Sequence, residues 1–212
     1  MITLYHLGVS QSDRVVWLLE ELGIPYKLEW FDRGEEGLAP PEFLALHPTA
    51  TAPVIRDGEV VLAESAAIVE YLCQRHGGGR FVVKPESPNY PDYLYWMQFN
   101  ANALAMFFVE RVLADSTDEQ LKDTLLAKMQ KRRSQRYYQY LNDYLSCHDY
   151  LAGDELSCAD IMAMFPLTTF ELFGGRGIDD LPHVVAYVDR IKARPAYQKA
   201  MDIAGPSATR PV

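Results

Sequence analysis

Two hydroxyls stand two residues apart in the run Ser10-Gln11-Ser12-Asp13-Arg14, between the apolar stretch ITLYHL and the amphipathic run DRVVWLLEELG. A hydroxyl at such a strand-to-helix seam has two uses. It caps the helix by accepting from a backbone N–H, or it donates its proton to an anion that the helix N-terminus also favours. A thiolate is such an anion: a thiol of pKa ~8.5 is mostly protonated at neutral pH, and only the thiolate is a good nucleophile. Lowering that pKa by about 2 takes ~2.7 kcal/mol. One hydrogen bond to a charged group offers about 1.5–3 kcal/mol and a helix N-terminus adds about 0.3–1 kcal/mol, so a single hydroxyl is sufficient. Farther on, Glu64-Ser65 stands where an apolar run gives way to SAAIVEYLCQRH. A helix start with a serine donor is a carboxylate site, and Glu64 supplies the opposite charge for an ammonium group. That pair reads one end of a ligand as an amino acid. The plainer reading, Ser65 as cap and Glu64 as a first-turn carboxylate, explains each residue singly but not their order.

The elements that must position these groups follow from periodicity. ITLYHL is a short β-prone run, and Val15, Leu18, Leu19 and Leu22 recur at helical spacing before Gly23, a residue suited to the left-handed cap. PYKLEWF alternates as a second strand, PEFLAL is a short helix after Pro40, and PVIRDGEVVLA is a hairpin turning at Asp57-Gly58. SAAIVEYLCQRH is a helix stopped by Gly77, Gly78 and Gly79. The order βαβ-ββα predicts a mixed four-stranded sheet covered by helices. Pro53 enters that sheet at the head of the hairpin, where a proline is normally excluded because it cannot donate to the ladder, and a cis bond is the usual escape.

Beyond residue 80 the pattern is helical. The division expected is 1–78 for the first domain, 79–90 for a proline-rich linker and 91–212 for an all-helical domain. Helices are predicted over 91–114, 118–147, 157–172, 182–193 and 195–203, with Ser157 and Asp160 forming a capping box before IMAMFPL. Residues 49% hydrophobic supply a sizeable core, and a formal charge of -9 argues against nucleic-acid backbones and anionic membrane surfaces. With no apolar leader and no run near ~20 apolar residues, a cytoplasmic protein is expected, without membrane attachment. Cys73, Cys147 and Cys158 show no CxxC spacing and read as buried thiols, and the five histidines have no metal-ligand spacing. No phosphate-binding G-x-x-x-x-G-K-[ST] loop and no G-x-S-x-G element is present, which sets nucleotide and acyl-serine chemistry aside.

The stretches SQSDRVVWLLEELGIPY, LAPPEFLALHPTATAPVIRDGEVVLAESAAIVEYL, YLAGDELSCADIMAMFPL and ARPAYQKAM, in this order over the whole chain, resemble the cytosolic glutathione transferases, in particular bacterial theta- and beta-like, serine-type members. The resemblance implies an α/β thioredoxin-like N-terminal domain followed by an all-α bundle. It also implies a homodimer, and a reaction in which the glutathione thiolate attacks a small hydrophobic electrophile, with peroxidase activity on the side and glutathione as the only co-substrate. Ser10 is similar to the catalytic serine of theta-like members, with Tyr5 and Ser12 as alternatives. Ser12 is then the better helix cap and Arg14 a structural ion-pair or capping partner. Thr51, Ala52, Pro53, Glu64 and Ser65 take the positions of the other glutathione-binding residues, Ala52 offering its backbone to the peptide ahead of a cis Pro53.

One position departs from that pattern. Many members carry a lysine where this chain has Thr51, and that lysine pairs with the glycine carboxylate of glutathione; Arg33 and His47 are the candidates to replace it. The resemblance places the second substrate between the domains, against the first long helix, where Trp96, Asn100, Ala103, Phe107 and Arg111 share a face with Met106 and Phe108 nearby. The same stripe also suits a core or dimer contact. Two other functions compete: a glutaredoxin-like reductase, which would want cysteine at position 10, and a non-catalytic binding protein whose ligand site has decayed.

Overall fold

In the computed structural model, which describes residues 1–211, ITLYHL forms β1 (Ile2–Leu7), PYKLEWF contributes β2 (Tyr26–Phe31), and the hairpin arms are β3 (Val54–Asp57) and β4 (Val60–Ala63). They make one mixed sheet in the order β2-β1-β3-β4, with β1 parallel to β2, antiparallel to β3, and β3 antiparallel to β4. This is the predicted βαβ-ββα sheet. Its hairpin turns at Gly58-Glu59, one residue later than expected, because Asp57 stays in the ladder opposite Val60. Gly58 takes φ +59° there, where a side chain would be strained.

Three helices dress this sheet: α1 (Asp13–Leu22), α2 (Pro41–Leu44) and α3 (Ser65–Arg75). Alternation along β1 divides its side chains between two faces. Tyr5 and Leu7 join Val54, Ala63 and Phe43 of α2 in one buried cluster. Ile2, Leu4 and His6 point the other way and are buried on the side of α1 and α3, which pack on each other and on the sheet. Gly23 ends α1 in the left-handed conformation at φ +67°, donating its N–H to Glu20, as its place in the pattern predicts.

The chain divides into two compact units, Met1–Pro85 with the segment from Ile191 onward, and Glu86–Arg190. The end of the chain therefore does not share the helical unit, against the expected domain of 91–212. The reason is α9 (Pro195–Ala204), which packs on α1. Tyr197 meets Trp17 edge-on at 5.1 Å, Arg194 pairs with Glu21 at 2.6 Å, and Lys199 pairs with Glu20 at 2.6 Å.

The second unit holds α4 (Tyr90–Asp115), α5 (Glu119–Lys122), α6 (Leu125–Leu145), α7 (Cys158–Thr168), a 3-10 turn at Phe170–Phe173 and most of α8 (Pro182–Lys192). The single helix expected over 118–147 is broken at Asp123-Thr124. Thr124 Oγ1 accepts from Ala127 N and starts α6 afresh. The predicted capping box is formed: Asp160 accepts from the N–H and hydroxyl of Ser157, both at 2.8 Å. Cys73 and Cys158 are buried, but Cys147 lies exposed, against the expectation of three buried thiols. Among the described residues no helix is long and apolar enough to cross a membrane.

One carboxylate ties the hairpin to α3. Asp57 Oδ2 accepts from Tyr71 at 2.9 Å and meets His76 Nε2 at 2.6 Å. The His76 hydrogen bond, ahead of that from Tyr71, holds the Asp57 carboxyl below the ordinary 3.8 against a smaller opposing effect of burial. A carboxyl depressed by folding stabilises the fold fully above its ordinary value and loses that contribution as pH falls through the folded one. Asp57→Asn is therefore expected to flatten the acid limb of the melting temperature below pH 3.8, measured by thermal melts at half-unit pH steps.

Candidate active site

Strand register brings the predicted ligand-binding residues to one end of the sheet. Tyr5 pairs with Val54, and Val54 with Ala63, so the end of β1, the start of β3 and the end of β4 lie side by side. Ser10 follows β1, Thr51-Ala52-Pro53 leads into β3, and Glu64-Ser65 follows β4. With strands about 4.8 Å apart, the three segments span about 10 Å across β1, β3 and β4. The Ala52–Pro53 bond is cis, as expected. Three of the four non-glycine residues with positive φ among those described stand at these segments: Val9 at +47° before Ser10, Ala50 at +53° before Thr51, and Glu64 at +70° before Ser65. Each such conformation costs of order 1–3 kcal/mol, and a cluster of them at one place is the mark of a functional site.

Neither Ser10 nor Ser12 caps the helix. Ser12 occupies the N-cap position of α1, yet its side chain makes no capping bond. Its Oγ lies 2.7 Å from Ser10 Oγ and 2.8 Å from His6 Nδ1. Ser10 Oγ donates to the carbonyl of Leu7 at 2.6 Å and is 6% exposed, whereas Ser12 is wholly buried. Both serines thus sit at the start of α1 in a polar cluster that the sequence does not announce. His6 is its third member, with its ring 4.3 Å from that of Trp30. Burial first, and the nearby Arg33 guanidinium second, hold its pKa down to about 4. The imidazole is therefore neutral at every pH where a thiolate would form.

Tyr5 has a partner of its own. It lies on the opposite face of β1 from His6, and its hydroxyl accepts from Arg56 Nε at 3.1 Å. Arg56 pairs with Thr3 across the β1–β3 ladder, so the Tyr5 hydroxyl is already engaged by a cation on its own face of the sheet. Arg14 is buried at the start of α1 with Asp13 beside it; burial lowers its pKa to about 10 and the Asp13 charge acts in the other direction.

Of the two candidates for the missing lysine, Arg33 is committed to the backbone. Its guanidinium donates to Gly8 O at 2.8 Å, Gly37 O at 2.7 Å and Val9 O at 3.1 Å, which pins the loop that carries Ser10. His47 instead joins the position in question: its Nδ1 lies 2.8 Å from Thr49 Oγ1, which lies 3.1 Å from Thr51 Oγ1. Thr49 and Thr51 are exposed and His47 is half-buried, and the three offer hydrogen bonds where a lysine would offer an ammonium group.

The predicted second-substrate face is the core of the helical unit. Trp96, Asn100, Ala103 and Phe107 are at most 2% exposed. Trp96 stacks on Tyr140 at 5.4 Å and Phe107 on Tyr138 at 5.2 Å, while Asn100 donates to Ala159 O and accepts from Tyr137. The stripe faces α6 and α7, the two helices on which α4 packs. Arg111 pairs with Asp115 one turn on, and Phe108 keeps some exposure beside Phe170 and Phe173.

Comparison with known proteins identifies the family. Residues 10–75 match the family model "Glutathione S-transferase, N-terminal domain" and residues 88–195 match "Glutathione S-transferase, C-terminal domain". A glutathione S-transferase of known structure from Actinobacillus pleuropneumoniae is 31% identical, with a TM-score of 0.88 over 100% of this chain and 97% of its own. Glutathione S-transferase 3 of Schizosaccharomyces pombe is 31% identical over 79% of this chain and 73% of its own. A theta class enzyme from Xanthomonas axonopodis pv. citri, solved with glutathione bound, is 25% identical with a TM-score of 0.69, covering 96% of this chain and 98% of its own. The chain belongs to the glutathione S-transferase family.

Proposed function

We propose that this protein is a serine-type glutathione transferase that lays glutathione across the end of the sheet and holds its sulfur as thiolate against Ser10. The observation that carries the reading is the register Tyr5–Val54–Ala63, which sets Ser10, Ala52 and Glu64-Ser65 in a row. An extended tripeptide is about 10 Å long, the width of that row. Its γ-glutamyl carboxylate suits the start of α3 at Ser65 and its ammonium suits Glu64. Its central residue pairs with the backbone of Ala52, and its sulfur reaches the start of α1. Ser10 then turns its proton from Leu7 O to the sulfur. The thiolate attacks an electrophilic carbon, the new C–S bond forms as the leaving group departs with the electron pair, and no covalent enzyme intermediate is needed.

The glycine carboxylate falls to Thr51, Thr49 and His47, hydrogen-bonding side chains in place of the lysine ammonium group. Binding at that end is correspondingly weak. Thr51→Lys is expected to lower the glutathione Kd about five-fold, the worth of one exposed ion pair at ~1 kcal/mol, as read by calorimetry at low salt.

A homodimer in the cytoplasm completes the reading. The outer sides of α4 and α6 leave Tyr95, Val109, Leu126 and Met129 between 39% and 60% exposed, a concentration of apolar surface suited to a second copy. The test of the function is an ultraviolet titration of the thiol of bound glutathione from pH 5 to 9. A pKa well below that of the free tripeptide is expected; an unshifted pKa would overturn the proposal.

A further inference from the structure

The cluster at the start of α1 holds three side chains in series, and their protons can be assigned by elimination. Leu7 O only accepts, so the short contact at 2.6 Å takes the single proton of Ser10. Ser10 Oγ is then the acceptor in the 2.7 Å contact with Ser12, which takes the single proton of Ser12. Ser12 Oγ is in turn the acceptor at 2.8 Å from His6, which must therefore carry its proton on Nδ1. The chain runs His6 Nδ1–H to Ser12 Oγ–H to Ser10 Oγ–H to Leu7 O. Its far end is closed: His6 Nε2 is buried and has no hydrogen-bond partner. A wholly buried histidine with one nitrogen unsatisfied is a costly occupant of a strand position that, like Leu4 on the same face, an aliphatic side chain would fill.

We propose that His6 and Ser12 are positioning residues for Ser10. By donating in series they fix which way the Ser10 proton points and strengthen it as a donor, since each hydrogen bond accepted by a hydroxyl polarises the one it gives. The inference rests on the reading of Ser10 as the group that holds the sulfur. As the thiol binds it gives its proton up to solvent, and Ser10 rotates its O–H from Leu7 O to the thiolate while still accepting from Ser12 and keeping its own proton. Ser12, lying directly behind Ser10, is thereby a functional residue rather than the helix cap its position predicts.

The test is the titration of bound glutathione in whole protein. Ser12→Ala and His6→Leu are each expected to lower the thiolate-to-thiol ratio at pH 7 about three- to ten-fold, the effect of one neutral hydrogen bond. His6→Asn, which keeps a donor at the place of Nδ1, is expected to stay near wild type. On a Ser10→Ala background, Ser12→Ala is expected to add nothing. If Ser10→Ala shifts the titration but Ser12→Ala and His6→Leu do not, the series is overturned and the role of Ser10 stands. If Ser10→Ala itself shifts nothing, both fall. A measurement that needs no variant decides the tautomer: long-range proton–nitrogen NMR of the wild-type imidazole is expected to show Nδ1–H, and an Nε2–H form would overturn the proposal even where a variant fails to fold.

Discussion

Ser10→Ala is expected to cut kcat/KM for conjugation by ten- to a hundred-fold while glutathione is still retained. The hydrogen bond it removes is one to a charged sulfur, worth about 1.5–3 kcal/mol, and that difference is felt only where the sulfur is anionic. Glutathione binding survives because the contacts at Ala52 and Glu64-Ser65, on β3 and β4, are untouched. The thiol pKa of the bound tripeptide should rise by an amount that accounts for the loss in rate at neutral pH, so that wild type and variant converge in alkaline buffer. This convergence separates a thiolate-stabilising serine from one that merely shapes the loop. A shaped loop would lose rate at every pH. If the variant keeps a low thiol pKa, the anion is held by backbone N–H groups at the start of α1 instead. Tyr5 is the less apt substitute, since its hydroxyl is engaged by Arg56.

The second large effect concerns the helical unit. Asp160 is fully buried and accepts four hydrogen bonds, from Leu151 N, Ser157 N, the Ser157 hydroxyl and the Tyr187 hydroxyl, all at 2.8–2.9 Å. Burial pushes its carboxyl up, and those four donors act in the opposite direction. Asp160→Ala leaves two backbone N–H groups and two hydroxyls in the interior without an acceptor. Each such group costs about 1–3 kcal/mol, so a loss of about 3–5 kcal/mol is expected even after partial relaxation. For a chain of this size that lowers the melting temperature by about 10 °C. Differential scanning calorimetry gives the shift, and a change of less than 2–3 °C, roughly 1 kcal/mol, would mean that water has replaced the carboxylate. Asp160→Asn is expected to recover only part of the loss, because its amide presents a donor toward Ser157 N.

Much of this was readable before any coordinates. A strand of period two and a helix of period 3.6 leave their marks within a few residues, and so do the groups that end them. The runs at β1, α1, the hairpin and α3, the cap at Gly23 and the box at Ser157-Asp160 are all local, and all are found where the residues place them but for the hairpin turn, which falls one residue later. The order of the segments proposed to bind glutathione was readable too, because they adjoin elements whose pairing follows from βαβ-ββα topology. What the chain could not disclose by pattern was which of several compatible partners an apolar surface takes. On α4 apolar side chains extend round the helix, so the Trp96–Phe107 stripe served equally well as a pocket wall or a core, and α6 and α7 decided for the core. Likewise α9 was recognisable as a helix but not as a companion of α1, some 170 residues earlier, since a pair such as Arg194–Glu21 has no local signature.

The division is sharpest at the site itself. From sequence alone, two serines at a strand-to-helix seam were candidates for cap and anion holder, and the residue types sufficed to say that one hydroxyl can stabilise a thiolate. Only the tertiary structure decided that neither caps the helix, that a strand histidine stands behind them, and that Arg33 pins the loop rather than meeting a carboxylate. The physical reason is one of range. Periodicity and capping are set by neighbours along the chain, whereas the direction of a hydroxyl proton is set by whichever acceptors the packed fold brings within 3 Å.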